Sequence, residues 1–140
     1  MSIVNKIIES VEAATGYSCL YHSDAELDRL LDNAPLPCAW FTLLSDGSVI
    51  NDTAQLRESV EVAVFFCDKT DHDFNSIENE AILDLLREKA FTWLKSLNGP
   101  GSLSYTGDIT TQRIYDHFDV NVTAYGVRLT ITENIGISKC

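Results

Sequence analysis

The sequence predicts an α+β domain, with a mainly antiparallel sheet of about four or five strands and helices packed on one face. The alternating large apolar residues from Val60 to Phe66 predict a strand with one face in the core. The apolar residues from Leu83 to Leu97 recur every three or four positions and predict a long amphipathic helix. The other predicted strands are joined with few helical crossovers, which favours antiparallel pairing.

Length and composition indicate one soluble domain that covers residues 1–140. The formal net charge of -11 disfavours binding to nucleic acids and to anionic membrane surfaces. No stretch approaches the roughly 20 apolar residues of a membrane span, and the N-terminus lacks the apolar segment of a signal peptide. We therefore expect a cytosolic protein with no specific nucleic-acid partner and no membrane partner.

The N-terminal region predicts a helix followed by a short strand. Over residues 3–14, Ile3, Ile7 and Val11 fall on one helical face. Gly16 then ends the helix, because glycine readily adopts the left-handed conformation of a C-terminal cap. The short strand follows at Tyr17–Tyr21. This N-terminal helix and the long helix are expected on the same face of the sheet.

The next segment predicts a second short helix and a buried strand. Ser23 and Glu26 have the spacing of a capping box, which marks a helix start. Pro35 and Pro37 stop this helix, because proline removes a donor and disfavours helix in the residue before it. The apolar and aromatic run from Cys38 to Leu44 is typical of a mostly buried strand.

The polar segment Ser48–Glu58 predicts a loop or an irregular strand extension, and it is a candidate surface for meeting a partner. The strand that follows, Ser59–Cys67, is apolar on both faces from Ala63 onward. We expect it to be central in the sheet, or covered on both sides at its far end. The acidic turn Asp68–Asp73 separates this strand from the long helix.

The long helix has recognisable start and stop signals. Asn75 and Glu78 have the spacing of an N-cap and its partner, and Asn98–Pro100 predicts the end. Beyond it, two strands are predicted at Leu103–Thr111 and Arg113–Phe118.

The final strand has apolar residues at even positions from Val120 to Ala124 and at odd positions from Val127 to Ile131. A β-bulge at Tyr125-Gly126 would keep both sets on the core face. The tail Glu133–Cys140 is either an extra edge strand or a disordered end.

Two groups of residues have partial metal-site character. The oxygen-bearing side chains before the long helix resemble a calcium loop, but the central glycine and the bidentate glutamate are missing. Acidic residues at a helix start are explained by the helix dipole alone. Only one close pair of zinc-type ligands exists, Cys19 and His22, whereas zinc sites usually contain two. The residues that resemble a calcium loop are Asp68, Asp71, Asp73 and Asn75. The further zinc-type candidates are Cys38, Cys67, His72, His117 and Cys140.

Nucleophilic catalysis requires a cysteine or serine beside a histidine, and Cys67 with His72 is the nearest pair in sequence. We favour reduced, buried cysteines that pack in the core. The larger aromatic side chains are expected in the core as well, whereas the later tyrosines are candidates for a subunit interface. The first set is Trp40, Phe41, Phe65, Phe66, Phe91 and Trp93, and the second is Tyr105, Tyr115 and Tyr125.

The order of these elements resembles that of small neck and tail-completion proteins of tailed bacteriophages. It is most similar to tail-terminator-like proteins of phages and prophages of the Bacteroides group. The similarity runs from Val60 to Ile131. It lies in the order of the elements and in the general character of their residues, without an invariant motif. The segments that carry it are Val62–Asp68, Asp71–Asn75, Glu78–Glu80, Phe91–Leu97 and Arg113–Ile131.

The resemblance implies a non-enzymatic virion component that forms a ring, commonly a hexamer, at the end of the tail tube or between head and tail. Its partners would be copies of itself and tail-tube or head-tail connector proteins, in the cytosol of the bacterial host and then in the virion. The family has no catalytic residues, so we predict no catalytic, cofactor-binding or metal-binding residue.

Two alternatives remain open. One is a small α+β module whose sheet binds a peptide or a small ligand. The other, ranked last, is an enzyme that uses Asp71, His72, Asp73 or Cys67.

Overall fold

The computed structural model describes residues 3–21, 37–45, 47–51, 56–69, 76–97, 103–117 and 122–136. These residues form two helices and six strands, in the α+β class that the sequence predicts. The helices are α1 (Ile3–Thr15) and α2 (Ser76–Ser96), and the strands are β1 (Ser18–Tyr21), β2 (Cys38–Leu43), β3 (Ser48–Asn51), β4 (Leu56–Lys69), β5 (Leu103–His117) and β6 (Val122–Gly136). The predicted short helix after Ser23 and the predicted caps at Asn75 and Asn98–Pro100 lie outside the described residues.

The six strands form one mixed sheet with the order β1-β2-β4-β6-β5, and β3 pairs with the first residues of β4. The pairing of β1 with β2 is parallel, whereas the other pairings are antiparallel. The predicted count of four or five strands is therefore too low, and the sheet is not purely antiparallel. The additional strand is β3, in the polar segment Ser48–Glu58, for which the sequence predicts a loop or an irregular strand extension.

Strand β4 is the centre of the sheet, as its two-sided apolar pattern predicts. Strand β6 pairs along its whole length on one edge. On the other edge, β2 pairs with Val62–Cys67 and β3 pairs with Leu56–Ser59. The strand is longer than predicted at both ends, so that Asp68 and Lys69 belong to β4 rather than to a turn.

The even-numbered residues of β4 point toward the helices and form the core with them. Val62, Val64 and Phe66 are completely buried, and so is Trp93 of α2. The Trp93 indole N–H donates a hydrogen bond of 2.9 Å to the Ser10 hydroxyl, which ties α2 to α1. The buried helix residues are those that the sequence periodicity selects: Ile3, Ile7 and Val11 in α1, and Leu83, Leu86, Ala90, Trp93 and Leu94 in α2, with Leu97 in the turn that follows.

Helix α1 ends as predicted at Gly16, whose φ of 75° is left-handed and whose N–H donates to the Glu12 carbonyl over 2.9 Å. At the opposite side of the core, Lys6 of α1 forms an ion pair with Glu133. Glu133 is only 4% exposed, and a buried carboxylate requires such a partner. It lies in β6, so the first residues of the predicted tail continue the last strand.

The predicted β-bulge at Tyr125-Gly126 is wrong. The pairing between β4 and β6 runs without a shift from Val64↔Val127 to Cys67↔Ala124. Tyr125 and Val127 point to the helices, whereas Ala124 points to the opposite face and is completely buried there. The apolar residues change parity because this end of the sheet is buried on both faces.

The segments predicted as two strands after α2 form the single strand β5. Its pairing with β6 is irregular between Thr106 and Thr110, where Gly107 has a φ of 79°. Glycine accommodates this left-handed conformation without steric cost. This interruption lies inside the first predicted strand, Leu103–Thr111, whereas the predicted break before Arg113 is absent, since Gln112 and Arg113 both pair with β6.

We predict that replacing Leu86 by Ala lowers the free energy of unfolding by about 2–5 kcal/mol, because the side chain leaves a cavity between α2 and the sheet. The matched control is Leu85→Ala on the same helix, where the side chain is 63% exposed and the expected loss is below about 0.5 kcal/mol. Urea denaturation in dilute solution measures both values. Equal losses for the two variants would contradict the assigned helix orientation.

Candidate functional site

A groove of about 400 Å³ lies on the sheet face that points away from both helices. The odd positions of β4 and the even positions of β6 form its floor, and side chains of β5 and of the end of β2 form its walls. The residues that give the groove its chemistry are Leu44, Ala63, Phe65, Thr110, Gln112 and Arg128. The groove is therefore apolar at its base and polar at its sides.

Phe65 and Gly126, two directly paired residues of the groove floor, lie in one row with Trp40, which is buried beside the groove. The rings of Trp40 and Phe65 stack, with centroids 4.5 Å apart and an angle of 17° between the planes. The Phe65 ring also covers Gly126 so closely that a Cβ there would lie 2.5 Å from two ring carbons. Only glycine leaves room for this ring position.

One wall of the groove carries an ion pair. Arg128 of β6 donates to the Glu61 carboxylate of β4 from both Nε and a terminal nitrogen, each at 2.8 Å. Both side chains are partly exposed, so the pair contributes little to stability in water. It places a guanidinium group beside the apolar floor, and Thr110 and Gln112 add hydrogen-bonding groups.

A second apolar surface lies on the outer side of α2. Ile77, Ala81 and Leu85 are spaced by four residues and are all exposed, with Ile77 at 80%. We call these three residues the α2 stripe. Asp84 and Glu88, also exposed, flank it with negative charge. The α2 stripe and the groove lie on opposite sides of the domain, because α2 covers the sheet face that the groove does not use.

The three described cysteines are buried on strands, as predicted. Burial and the Glu12 carboxylate raise the pKa of Cys19 to about 12. The hydrogen bond with Cys38 and burial raise the pKa of Cys67 above its ordinary value. A buried thiol that holds its proton does not fit the role of an exposed nucleophile.

The predicted metal-type ligands are not brought together in the described part of the chain, where no three His, Cys, Asp or Glu side chains cluster. Asp68 lies at the end of β4 and accepts a hydrogen bond from the Lys69 N–H. Cys19 points to the helix side of the sheet, whereas Cys38 and Cys67 lie on the opposite side. The other candidates, His22, Asp71, His72, Asp73, Asn75 and Cys140, lie outside the described residues, as does the side chain of His117.

The aromatic side chains divide between core and groove. Trp40, Phe41, Phe66 and Trp93 are buried as predicted, and Phe91 packs at the edge of the core. Phe65, by contrast, is half-buried and lines the groove. Tyr125 is 5% exposed and Tyr105 packs against the core, which leaves neither as a prominent interface side chain, and the side chain of Tyr115 is not described.

The sequence patterns do not predict the groove, although one signal points to it. A glycine inside a strand marks a bulge or a close approach by another group. The bulge predicted at Gly126 is absent, and the close approach by Phe65 is the feature that the structure contains.

The chain matches no protein-family model, and no curated protein is significantly similar to it. Within the described ranges, neither helix has the length and apolar content needed to cross a membrane.

We predict that Gly126→Ala lowers the free energy of unfolding by about 1–3 kcal/mol, because the added methyl group displaces the Phe65 ring from its stack on Trp40. The double variant Gly126→Ala/Phe65→Leu should lose less than the sum of the two single losses, since the smaller side chain makes room. Urea denaturation of all three variants measures this coupling. Strictly additive losses would show that Phe65 and Gly126 do not share the floor of the groove.

Proposed function

We propose that this protein is a non-enzymatic structural subunit that assembles with copies of itself into a closed ring, as tail-completion and neck proteins of tailed bacteriophages do. The observation that carries the proposal is the pair of unlike apolar surfaces on opposite sides of the domain, the groove and the α2 stripe. A ring built from head-to-tail contacts needs two different, complementary patches on each subunit. The resemblance in element order supports the same conclusion independently.

In the proposed contact, the α2 stripe of one copy lies in the groove of the next copy. Leu85 is 63% exposed in the single chain and would pack against Phe65 and Leu44 of its neighbour. Burial of such side chains drives most protein association. Because each copy uses its two sides differently, the contact repeats around a ring.

Charge supports the same pairing. Asp84 and Glu88 flank the α2 stripe, and Arg128 borders the groove. Docking would bring these carboxylates toward Arg128, which already forms an ion pair with Glu61, so the charges would fix orientation more than they add affinity. The net charge of -11 opposes assembly through general repulsion, so ring formation should strengthen as salt screens that repulsion.

The ring would have the partners that the resemblance implies, tail-tube or head-tail connector proteins, and copies of itself in a hexamer. An acidic lumen would let DNA pass without adhering to it, since negative charge repels phosphate. The β3–β4 hairpin, where Val49 is 61% exposed, is a further surface for these partners. Both of its strands contain residues of Ser48–Glu58, the segment that the sequence predicts as a partner-binding surface.

A second candidate function is a small binding module. The groove volume of about 400 Å³ falls in the range of about 300–1,000 Å³ typical of ligand sites, and its apolar floor with polar walls suits a peptide or a small apolar ligand. A monomer that binds such a molecule at Phe65 would favour this alternative over the ring.

We predict that the protein elutes from size-exclusion chromatography with light scattering as a closed assembly of about six 15.6 kDa subunits. Leu85→Asp in the stripe and Leu44→Asp in the groove should each give a monomer, because a charge at either surface disrupts the contact. Val49→Asp is the matched control for Leu85→Asp, because Val49 lies outside both surfaces and is 61% exposed, close to the 63% of Leu85, and it should keep the ring. Circular dichroism confirms that each variant is folded.

Mixing the two monomeric variants tests the head-to-tail geometry. The intact groove of Leu85→Asp can still accept the intact stripe of Leu44→Asp, so the mixture should form a heterodimer and stop there. A wild-type monomer at high concentration and high salt would contradict the ring proposal. If the wild-type protein forms a ring that Leu85→Asp leaves intact and Val49→Asp disrupts, the ring proposal stands. The contact between subunits then involves the β3–β4 hairpin and not the α2 stripe.

A further inference from the structure

Two thiols face each other inside the sheet. Cys38 of β2 and Cys67 of β4 are direct partners in the antiparallel pairing, and their sulfur atoms are 3.4 Å apart. The Cys67 thiol also lies 3.4 Å from the Cys38 carbonyl oxygen. Both side chains are completely buried, on the same sheet face as the groove floor. The proposed ring contact does not use them.

The geometry of this pair is close to that of a disulfide. Directly opposed residues in an antiparallel pair have Cβ atoms about 4.5–5.5 Å apart, and a disulfide requires about 3.5–4.5 Å. The sulfur atoms must move from 3.4 Å to about 2.05 Å, which small rotations of the two side chains and a slight approach of the strands can supply. Cys19, the third described cysteine, lies on the opposite face and has no such partner position.

The two sulfurs also differ in their readiness to react. The hydrogen bond from Cys67 lowers the pKa of Cys38, since it stabilises the Cys38 thiolate. The same hydrogen bond and burial raise the pKa of Cys67, which therefore holds its proton. Cys38 is the sulfur that attacks first, because the thiolate is the reactive form of cysteine.

We propose that Cys38 and Cys67 form a latent cross-strand disulfide, closed by a hydroperoxide-class oxidant that converts the two thiols into one covalent link between β2 and β4. This inference is independent of the proposed ring. It assigns a modification site to two residues that otherwise serve only as small core side chains.

The reaction balances with hydrogen peroxide as the co-reactant. The Cys38 thiolate sulfur attacks one peroxide oxygen, the O–O bond breaks, and hydroxide leaves, which yields a sulfenic acid on Cys38. The Cys67 sulfur then gives up its proton and attacks the Cys38 sulfur, and the S–O bond breaks to release water. Together the two thiols lose two electrons and two protons, and the peroxide becomes two molecules of water.

Burial sets the rate of this reaction. Peroxide is small, but both sulfurs are inaccessible in the closed sheet, so it reaches them through local opening of β2 from β4. Oxidation should therefore accelerate at urea concentrations below the unfolding midpoint. The link would then enclose the chain between positions 38 and 67, a separation of 29 residues that includes the β3–β4 hairpin.

The test uses the full chain with Cys140→Ser, so that the cysteine outside the described residues cannot pair. After peroxide treatment and removal of excess oxidant, we expect the loss of two hydrogen atoms by intact mass and one free thiol instead of three under denaturing conditions. Peptide mapping without reductant should link Cys38 to Cys67. The thermal midpoint should rise by about 5–15 °C and return after treatment with dithiothreitol.

Matched variants separate this assignment from general oxidation. The Cys19→Ala variant should still form the link, whereas Cys38→Ala and Cys67→Ala should each abolish it. If one of these two variants fails to fold, the other alone is sufficient for the test. Three free thiols after treatment, with and without low urea, would overturn the proposal. A link that involves Cys19 would overturn it as well.

Discussion

The structure depends on the pairing of β4 along both of its edges. All fourteen residues of this strand pair with β6 on one side, and ten of them pair with β2 or β3 on the other. Once its backbone is fixed, the two-residue period of a strand decides where each side chain goes. Even positions such as Val64 enter the core beneath the helices, and odd positions such as Phe65 form the opposite face.

The consequence is a domain with two unlike sides. Both helices cover one face of the sheet, because α1 and α2 each present an apolar surface that must be buried. In the described part of the chain, the other face is buried at the end that holds Cys38, Trp40, Cys67 and Ala124, and it opens into the groove beside Phe65. The groove, the cross-strand thiols and the proposed head-to-tail contact all follow from this one-sided cover.

Much of this architecture is predictable from local patterns. The helix face of Leu83, Leu86 and Trp93 and the alternation in β4 are strong periodic signals, and burial confirms them. Gly16 is a correct helix stop because its cap conformation depends only on neighbouring residues. Such features are local, and the sequence contains all the information that they require.

The features that sequence analysis missed depend on contacts between distant segments. Strand β3 has only four residues, Ser48–Asn51, and is held by its pairing with β4, which no local pattern reveals. The parallel pairing of β1 with β2 and the approach of Phe65 to Gly126 join residues far apart in the chain. The change of parity after Ala124 predicts a bulge, whereas burial of the second face of β6 accounts for it. The groove could be found only after the strand order was known.

Amide hydrogen exchange tests the central position of β4 most directly. We expect the amides of Val62–Phe66 to be among the slowest in the protein and to exchange only through global unfolding, since β2 and β6 pair with both edges of this segment and the helices cover one of its faces. The amides of the short edge strand β1 should exchange faster, through local opening. Exchange of the Val62–Phe66 amides as fast as that of β1 would contradict a sheet organised around β4.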